Sequence, residues 1–197
     1  MSVPASETAG SRVATAGQVI GAFVFLLYAV ELLDQILGER LDGGGIQPRE
    51  SDGLDGILWA PLLHGGWWHL IGNTLPLLVL GFMILLSGVS RWVSVTAIVW
   101  LVGGLGTWLT GGEFTIHLGA SGLVFGWLTY LLLRGLFSRR PGQIAVGVVV
   151  LLAYGGALWG VLPNQPGISW QGHLFGAIGG TLAAWWLGAR DRQAVPQ

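Results

Sequence analysis

The sequence predicts an all-α membrane protein with six transmembrane helices and both termini in the cytoplasm. Of its 197 residues, 52% are apolar and only 10% are charged, whereas roughly 25% of an ordinary soluble domain is charged. Such sparse charge does not cover the surface of a globular domain. Two further observations support the prediction: six long apolar segments run through the chain, and the arginines are distributed unevenly between them.

Composition also excludes several classes of function. The net charge is −1, so no basic face is present that would bind nucleic acid. The chain has no cysteine, which excludes disulfides, zinc-finger spacings and a thiol nucleophile. Its 34 glycines and 11 tryptophans fit close helix packing and anchoring at a lipid interface. We therefore expect the lipid bilayer as a partner, and no nucleic acid, metal or cofactor.

Six apolar segments have about the length that a membrane span requires. A helix that rises 1.5 Å per residue needs about 20 residues to cross a core about 30 Å thick. The segments lie approximately at residues 17–38, 61–86, 92–110, 118–136, 143–162 and 170–189. Unbroken apolar runs favour helices over barrel strands, which would alternate over about 10 residues. We predict one six-helix domain at residues 16–190, between polar tails at 1–15 and 191–197.

The placement of arginine predicts the orientation of the bundle. With a cytoplasmic N-terminus, seven of the nine basic residues lie inside, in agreement with the positive-inside rule. These seven are Arg12, Arg91, Arg134, Arg139, Arg140, Arg190 and Arg192. The outer loop at about residues 39–60 holds the other two arginines and five carboxylates. We therefore expect a multi-pass protein of a bacterial plasma membrane, since the sequence shows no organelle-targeting segment.

The second apolar segment carries three polar side chains in the stretch HGGWWHLIGN. Polar groups inside a membrane span are costly, so each is a candidate functional residue. His69 and Asn73 are four residues apart and project from one face of a helix. His64 precedes His69 by five residues, roughly 140° around a helix, which suits metal chelation poorly. His64 also fits an interfacial role beside Trp67 and Trp68.

The fourth and sixth segments each carry a potential catalytic side chain near their start. Ser121 stands between Gly119 and Gly122 in the stretch HLGASGLVFGW. Glycines there allow tight turns, and the free N–H groups of a first helical turn can bind an anion. His173 lies one turn into the stretch WQGHLFGAIGG, ahead of two glycines spaced four apart. Taken singly, the serine also fits a packing role and the histidine a structural one.

Depth in the membrane brings these residues together. The second, fourth and sixth segments run in the same direction, and Asn73, Ser121 and His173 each lie about 20–25 Å from the cytoplasmic ends. All three therefore share a level about 5–10 Å below the outer edge of the hydrocarbon core. The preceding stretch GGEFTIHLG must then dip into the protein and line a water-filled cavity. A serine, a histidine and an amide beneath such a cavity indicate nucleophilic catalysis.

These motifs resemble those of the rhomboid intramembrane serine proteases, and the resemblance covers nearly the whole chain. The family has a histidine and an asparagine four apart on its second helix, Gly-x-Ser-Gly at the start of its fourth, and a histidine followed by spaced glycines on its sixth. The matching positions are His69 and Asn73, then Gly119, Ala120, Ser121 and Gly122, then His173, Gly176 and Gly180. His64 also stands where many bacterial members have a histidine. The resemblance implies a six-helix rhomboid-like bundle.

The resemblance also implies a serine-type endopeptidase that uses a Ser–His dyad. Ser121 would be the nucleophile and His173 its general base. Asn73, His69 and the backbone N–H of Ser121 would stabilise the oxyanion. Residues implied to support the site are His64, Gly119, Gly122, Phe125 and Gly176. The expected substrates are single-span membrane proteins, admitted where the fifth helix opens beside the second.

Two departures from the family pattern concern the surroundings of this site. Phe125 stands where family members often have a tyrosine that supports the catalytic histidine, so packing of the ring is retained without its hydroxyl. A Trp-Arg pair that is common in the first outer loop is replaced by Asp55 and Gly56. Neither departure changes the dyad itself.

Three alternatives remain open from the sequence. A catalytically silent relative would bind membrane proteins without cutting them, although such relatives typically lack the serine or the histidine. A small transporter or channel would need a polar path across the whole bilayer, whereas the polar residues cluster near its outer side. His117, four residues before Ser121, would lie on the same face as the serine and compete as its base if the helix were continuous.

Overall fold

The computed structural model describes residues 8–163 and 167–193, and within them it is a bundle of seven α-helices. Its one β-bridge in these ranges joins two loops. The helices are α1 (Ala9–Ile36), α2 (Gly56–Trp59), α3 (Trp67–Leu85), α4 (Val89–Thr110), α5 (Ser121–Ser138), α6 (Pro141–Tyr154) and α7 (Trp170–Gln193). A 3-10 helix, Gly155–Val161, follows α6 directly. The prediction of an all-α fold is therefore confirmed for the described residues.

Five helices are long and apolar enough to cross a membrane. They are α1, α3, α4, α5, and α6 taken together with its 3-10 extension. Helix α7 has 24 residues, which is also long enough, but its first turns are less apolar because they carry Gln171 and His173. The prediction of six spans is thus supported for five helices and stays a prediction for α7.

The first and last helices extend into the residues that the sequence assigned to polar tails. Helix α1 begins at Ala9, inside the predicted tail at 1–15, because Thr8 caps it by accepting the N–H of Ser11 at 3.2 Å. At the other end, α7 continues to Gln193. Asp191 lies within that helix and accepts a hydrogen bond from Nη1 of Arg91 at 3.1 Å. Residues 1–7 and 194–197 lie outside the described part of the chain.

Helix α5 occupies the centre of the bundle and packs most extensively against α7. Glycines make this close approach possible. A side chain at Gly176 would collide with the carbonyl oxygen of Gly122, and one at Gly180 with that of Gly126. The small-residue face predicted for the last helix is therefore its contact with α5. The starts of these two helices carry Ser121 and His173.

The segment before α5 is irregular and is held in place by backbone hydrogen bonds. Residues 111–120 contain no helix, which confirms that the stretch GGEFTIHLG is not part of a continuous span. His117 pairs with Ile46 of the outer loop through N–H···O bonds of 2.8 and 2.9 Å. The N–H of Gly119 donates to the carbonyl oxygen of Ala60 at 2.8 Å. The backbone of His117 and the N–H of Gly119 are thus paired with the outer loop.

Candidate active site

Ser121 and His173 lie within hydrogen-bond distance of each other. Ser121 is the first residue of α5, and His173 lies in the first turn of α7. The hydroxyl oxygen of Ser121 is 2.9 Å from Nε2 of His173. His173 is 8% exposed, whereas Ser121 is only half-buried. Two residues that are 52 positions apart in sequence therefore form one Ser–His pair.

The second nitrogen of the same imidazole defines the direction of this hydrogen bond. Nδ1 of His173 lies 2.9 Å from the carbonyl oxygen of Gly160. A carbonyl oxygen only accepts, so Nδ1 must carry the hydrogen and Nε2 of the neutral ring is left with a lone pair. The hydroxyl of Ser121 consequently donates to Nε2. This is the tautomer that a general base requires.

Gly160 was not predicted from the sequence. It lies in the 3-10 helix after α6, and a Cβ atom there would stand 2.8 Å from Cζ of Phe125 and 3.1 Å from Nδ1 of His173. Only glycine fits at this distance from both rings. The one signal in the sequence is the glycine content of the stretch GGALWG, which is weak in a chain with 34 glycines.

Phe125 supports the imidazole by stacking on it. The ring centroids of Phe125 and His173 are 4.0 Å apart, and the ring planes differ by 10°. Phe125 follows Ser121 by one helical turn, so both project toward α7. This stack and the hydrogen bond that Nδ1–H donates to the carbonyl oxygen of Gly160 together hold the imidazole.

An open cleft of ≈ 730 Å³ exposes the Ser–His pair and is lined on another side by His69 and Asn73. Asn73 is 7% exposed, and its amide nitrogen donates to the carbonyl oxygen of His69 at 3.1 Å. One amide hydrogen of Asn73 remains for another acceptor. Gly119 has a φ of +117°, and a Cβ there would lie 2.6 Å from Cε1 of His69. Glycine is therefore required at this position by its backbone conformation and by the imidazole beside it.

His64 is buried and holds the backbone next to the serine. It is 2% exposed, which contradicts the interfacial interpretation, whereas Trp68 is 85% exposed. Nε2 of His64 accepts the N–H of Ala120 at 3.3 Å, and its ring lies edge-on to that of His69 at 5.2 Å. Burial, with a smaller contribution from His69, lowers the pKa of His64 to about 3. His64 is thus a neutral acceptor at physiological pH.

The structure does not place His117 beside Ser121. The ring of His117 bonds Thr115 and Ser169 instead, at 2.9 and 2.7 Å. Because α5 begins at Ser121, these two residues do not share a helical face. The alternative in which His117 is the base for Ser121 is therefore wrong.

Among the described residues, no acidic side chain bonds the Ser–His pair. Glu113, the nearest candidate in the sequence, is exposed and lies 3.8 Å from the guanidinium of Arg49. In the described part of the chain, no three His, Asp or Glu side chains are grouped so that they could hold a metal ion. The cleft instead collects the amide of Asn73, three hydroxyl groups and three imidazoles.

Proteins with related sequences occur in mycobacteria and in Bacillus. An uncharacterized protein of Mycobacterium tuberculosis is 54% identical over 186 residues, which cover 90% of this chain and 78% of that protein. An uncharacterized protein of Mycobacterium leprae is 52% identical over 185 residues, or 90% of this chain and 73% of its own. YdcA of Bacillus subtilis, classed by its name with the rhomboid proteases, is 30% identical over 123 residues, 61% of each chain.

The match to a family model covers the cleft and most of the bundle. The model of the Rhomboid domain matches residues 53–190, from the outer loop into the last turn of α7. The resemblance of the three motifs is therefore confirmed at the level of the family. With its apolar helices, the chain is a multi-pass membrane protein, and it belongs to the rhomboid family.

Proposed function

We propose that this protein is an intramembrane serine endopeptidase that cuts single-span membrane proteins in or near their transmembrane helices. Its family generally consists of serine intramembrane proteases that act on membrane-protein substrates. The observation that carries the proposal is the 2.9 Å contact between Ser121 and a His173 whose tautomer leaves Nε2 free to accept a proton. An open cleft gives a peptide access to this pair.

Acylation starts from the hydrogen bond between these two residues. Oγ of Ser121 attacks the scissile carbonyl carbon while its proton passes to Nε2 of His173. The imidazolium that forms keeps its Nδ1–H bond to the carbonyl oxygen of Gly160, whose partial negative charge stabilises the cation. The C–N bond then breaks, and Nε2 returns the proton to the leaving amine.

Asn73, His69 and the backbone N–H of Ser121 stabilise the oxyanion of the tetrahedral intermediate. Asn73 and His69 line the cleft beside the serine. The serine opens a helix whose first N–H groups have no partner within that helix. Such donors act where charge develops in the transition state and are each worth about 10²–10³ in rate.

Hydrolysis of the acyl-enzyme uses the same groups. His173 takes a proton from a water molecule that enters the cleft, and the resulting hydroxide attacks the ester carbonyl carbon. Collapse of the second tetrahedral intermediate breaks the bond to Oγ, and the proton returns from Nε2 to Ser121. No cofactor or metal takes part in this scheme.

The proposed setting is a bacterial plasma membrane, with both termini cytoplasmic and the cleft open to the extracytoplasmic side. Arg91, Arg134 and Arg190 lie at the helix ends opposite the cleft, as the positive-inside rule requires of cytoplasmic ends. We also propose that substrates enter beside α6. This helix packs mainly on α5, and its side chains at Val149 and Leu152 are 63% and 83% exposed.

Labelling with a fluorophosphonate tests the proposal directly. The purified protein should react, whereas Ser121→Ala and His173→Ala should not. Ser94→Ala is a matched control, because Ser94 lies half-buried on α4, away from the cleft, and its described hydrogen bond is to Ser90 of its own helix. Labelling that survives Ser121→Ala would show that the nucleophile is assigned wrongly. Binding of a single-span protein without cleavage by the wild type would favour the silent binding factor, which no observation favours now.

A further inference from the structure

A second Ser–His contact joins the same two segments that carry Ser121 and His173. His117 lies four residues before Ser121, and Ser169 lies four residues before His173. Nδ1 of His117 is 2.7 Å from Oγ of Ser169. We call this pair the outer bridge. It runs alongside the contact between Ser121 and His173, and both pairs line the same cleft.

The hydrogens of the outer bridge have only one consistent arrangement. The hydroxyl of Thr115 donates to the carbonyl oxygen of Gly112 at 2.7 Å, so toward His117 it can only accept. Nε2 of His117 must then carry the hydrogen, and Nδ1 of the neutral ring accepts from the hydroxyl of Ser169. The oxygen of Ser169 also accepts the N–H of Gly172 at 3.3 Å. Burial lowers the pKa of His117, which favours this neutral form.

Backbone contacts fix both ends of the outer bridge. His117 exchanges two N–H···O bonds with Ile46 of the outer loop. A Cβ at Gly111 would stand 2.8 Å from Nε2 of His117, so the imidazole is also confined by the end of α4. At the other end, the carbonyl oxygen of Ser169 accepts the N–H of His173 at 3.1 Å. His117 thus connects three parts of the protein. Its backbone joins the segment before the nucleophile to the outer loop, and its imidazole joins that segment to the start of α7.

We propose that His117 is a positioning residue that, through Ser169, sets the separation between Ser121 and His173. The inference rests on the proposed proteolysis, because the separation matters only if a proton passes between these two residues. His117 itself exchanges no proton with substrate, since both of its nitrogens are occupied by hydroxyl groups. A loss of register of about 1 Å at a reacting pair can reduce a rate about 10²-fold.

A double-mutant cycle tests this role. His117→Leu, Ser169→Ala and the double variant are compared with the wild type for kcat and KM on a single-span substrate. We expect kcat to fall about tenfold in His117→Leu, KM to stay unchanged, and the double variant to match Ser169→Ala alone. Ser169→Thr and His117→Asn keep a hydroxyl and an acceptor at the bridge, so both should recover most of the rate.

Other outcomes of the cycle overturn the inference. A double variant about tenfold slower than Ser169→Ala would mean that His117 acts independently of Ser169. An unchanged kcat in His117→Leu, or a change in KM alone, would mean that the bridge does not position the dyad. The comparison with Ser169→Ala matters because that variant also removes the hydroxyl oxygen that accepts the N–H of Gly172.

Nitrogen NMR of the histidines separates this inference from the proposed function. The shifts of His117 should show a protonated Nε2 and an unprotonated Nδ1, and this pattern should change in Ser169→Ala. A wild type that neither labels nor cleaves overturns the proposed function and, with it, the positioning role, even if the NMR pattern shows the bridge. An active wild type with unaffected bridge variants overturns the positioning role alone.

Discussion

The two halves of the bundle are built on different principles. The cleft half comprises the outer loop, residues 111–120 and the first turns of α3, α5 and α7. Its backbone is largely irregular. His64 and Ser169 there accept backbone N–H groups, and the carbonyl oxygen of Gly160 accepts the imidazole N–H of His173. The closed half comprises the remaining turns of α3, α4, α5 and α7. Trp127, Leu128 and Leu131 there are fully buried.

This difference separates the determinants of chemistry from those of stability. In the cleft half, His173, His117 and Asn73 are each held by one or two specific hydrogen bonds, so a substitution misdirects a reacting atom and leaves most packing in place. In the closed half, apolar volume is filled from all sides, and removal of volume leaves a cavity. We therefore expect substitutions in the cleft half to reduce activity with little loss of stability, and those in the closed half to do the reverse.

Of the substitutions that test this difference, Asn73→Ala should cause the largest loss of activity. The variant loses an oxyanion donor, so kcat should fall about 10²–10³-fold. The Tm in detergent should change little, because the amide makes only one described bond, within its own helix. Steady-state kinetics and thermal unfolding on the same preparation measure both quantities. A Tm loss in proportion to the loss of activity would contradict the separation of the two halves.

Gly160→Ala should have the next largest effect. The added methyl group would press on Phe125 and His173 and turn the imidazole away from Ser121, so the rate of fluorophosphonate labelling should fall about 10²-fold. Gly156→Ala is the matched control, since a Cβ in that position of the same 3-10 helix meets no atom within 4 Å. Equal labelling of both variants would show that the methyl group at position 160 does not turn the imidazole away from Ser121.

Leu131→Ala tests the closed half. It removes a fully buried side chain from α5 and should destabilise the protein by about 2 kcal/mol, measured as a lower midpoint of chemical unfolding. The labelling rate per folded molecule should be unchanged. Leu136→Ala on the same helix is the control, because that side chain is 58% exposed and leaves no internal cavity. A labelling rate that falls with stability would show that the two halves are coupled.

The sequence predicted those features of the site that depend on spacing along one helix. His69 and Asn73 share a face because they are four apart, and Phe125 follows Ser121 by one turn for the same reason. The glycines of α7 predicted a close helix contact because only small side chains allow it. Such regularities survive in any tertiary context, so a single sequence is sufficient to find them.

The features that the sequence did not predict depend on contacts between distant segments. Gly160 acts through a backbone carbonyl, which every residue possesses, so its identity carries almost no signal. Ser169 and His117 are 52 residues apart, and neither lies in a motif. The early start of α1 depends on a cap at Thr8 rather than on apolar periodicity. The helical placement of Asp191 likewise follows from its ion pair with Arg91 at the far end of α4.

The smallest expected effect concerns Asp42, where the outer loop of the cleft half meets α1. Asp34 and Glu31 of α1 are 2% and 1% exposed, and they face Asp42 from that helix. Glu39 approaches it from the segment in between. Burial and then these carboxylates raise the pKa of Asp42 to about 6. Repulsion between these carboxylates therefore destabilises the folded protein when Asp42 is ionised.

The sign of the pH dependence follows from this shift. Between pH 3.8, the usual pKa of an aspartate, and pH about 6, the folded state binds more protons at Asp42 than the unfolded state does. Stability therefore falls as the pH rises through this window and stays lower above it.

Asp42→Asn should raise the Tm by about 2–4 °C at pH 7.5 and bring no gain at pH 4. Asp52→Asn, an exposed position in the same loop, should leave the Tm unchanged at both values. A gain of equal size at pH 4 would mean that the amide stabilises the loop by hydrogen bonding, and the charge of Asp42 would then not be the cause.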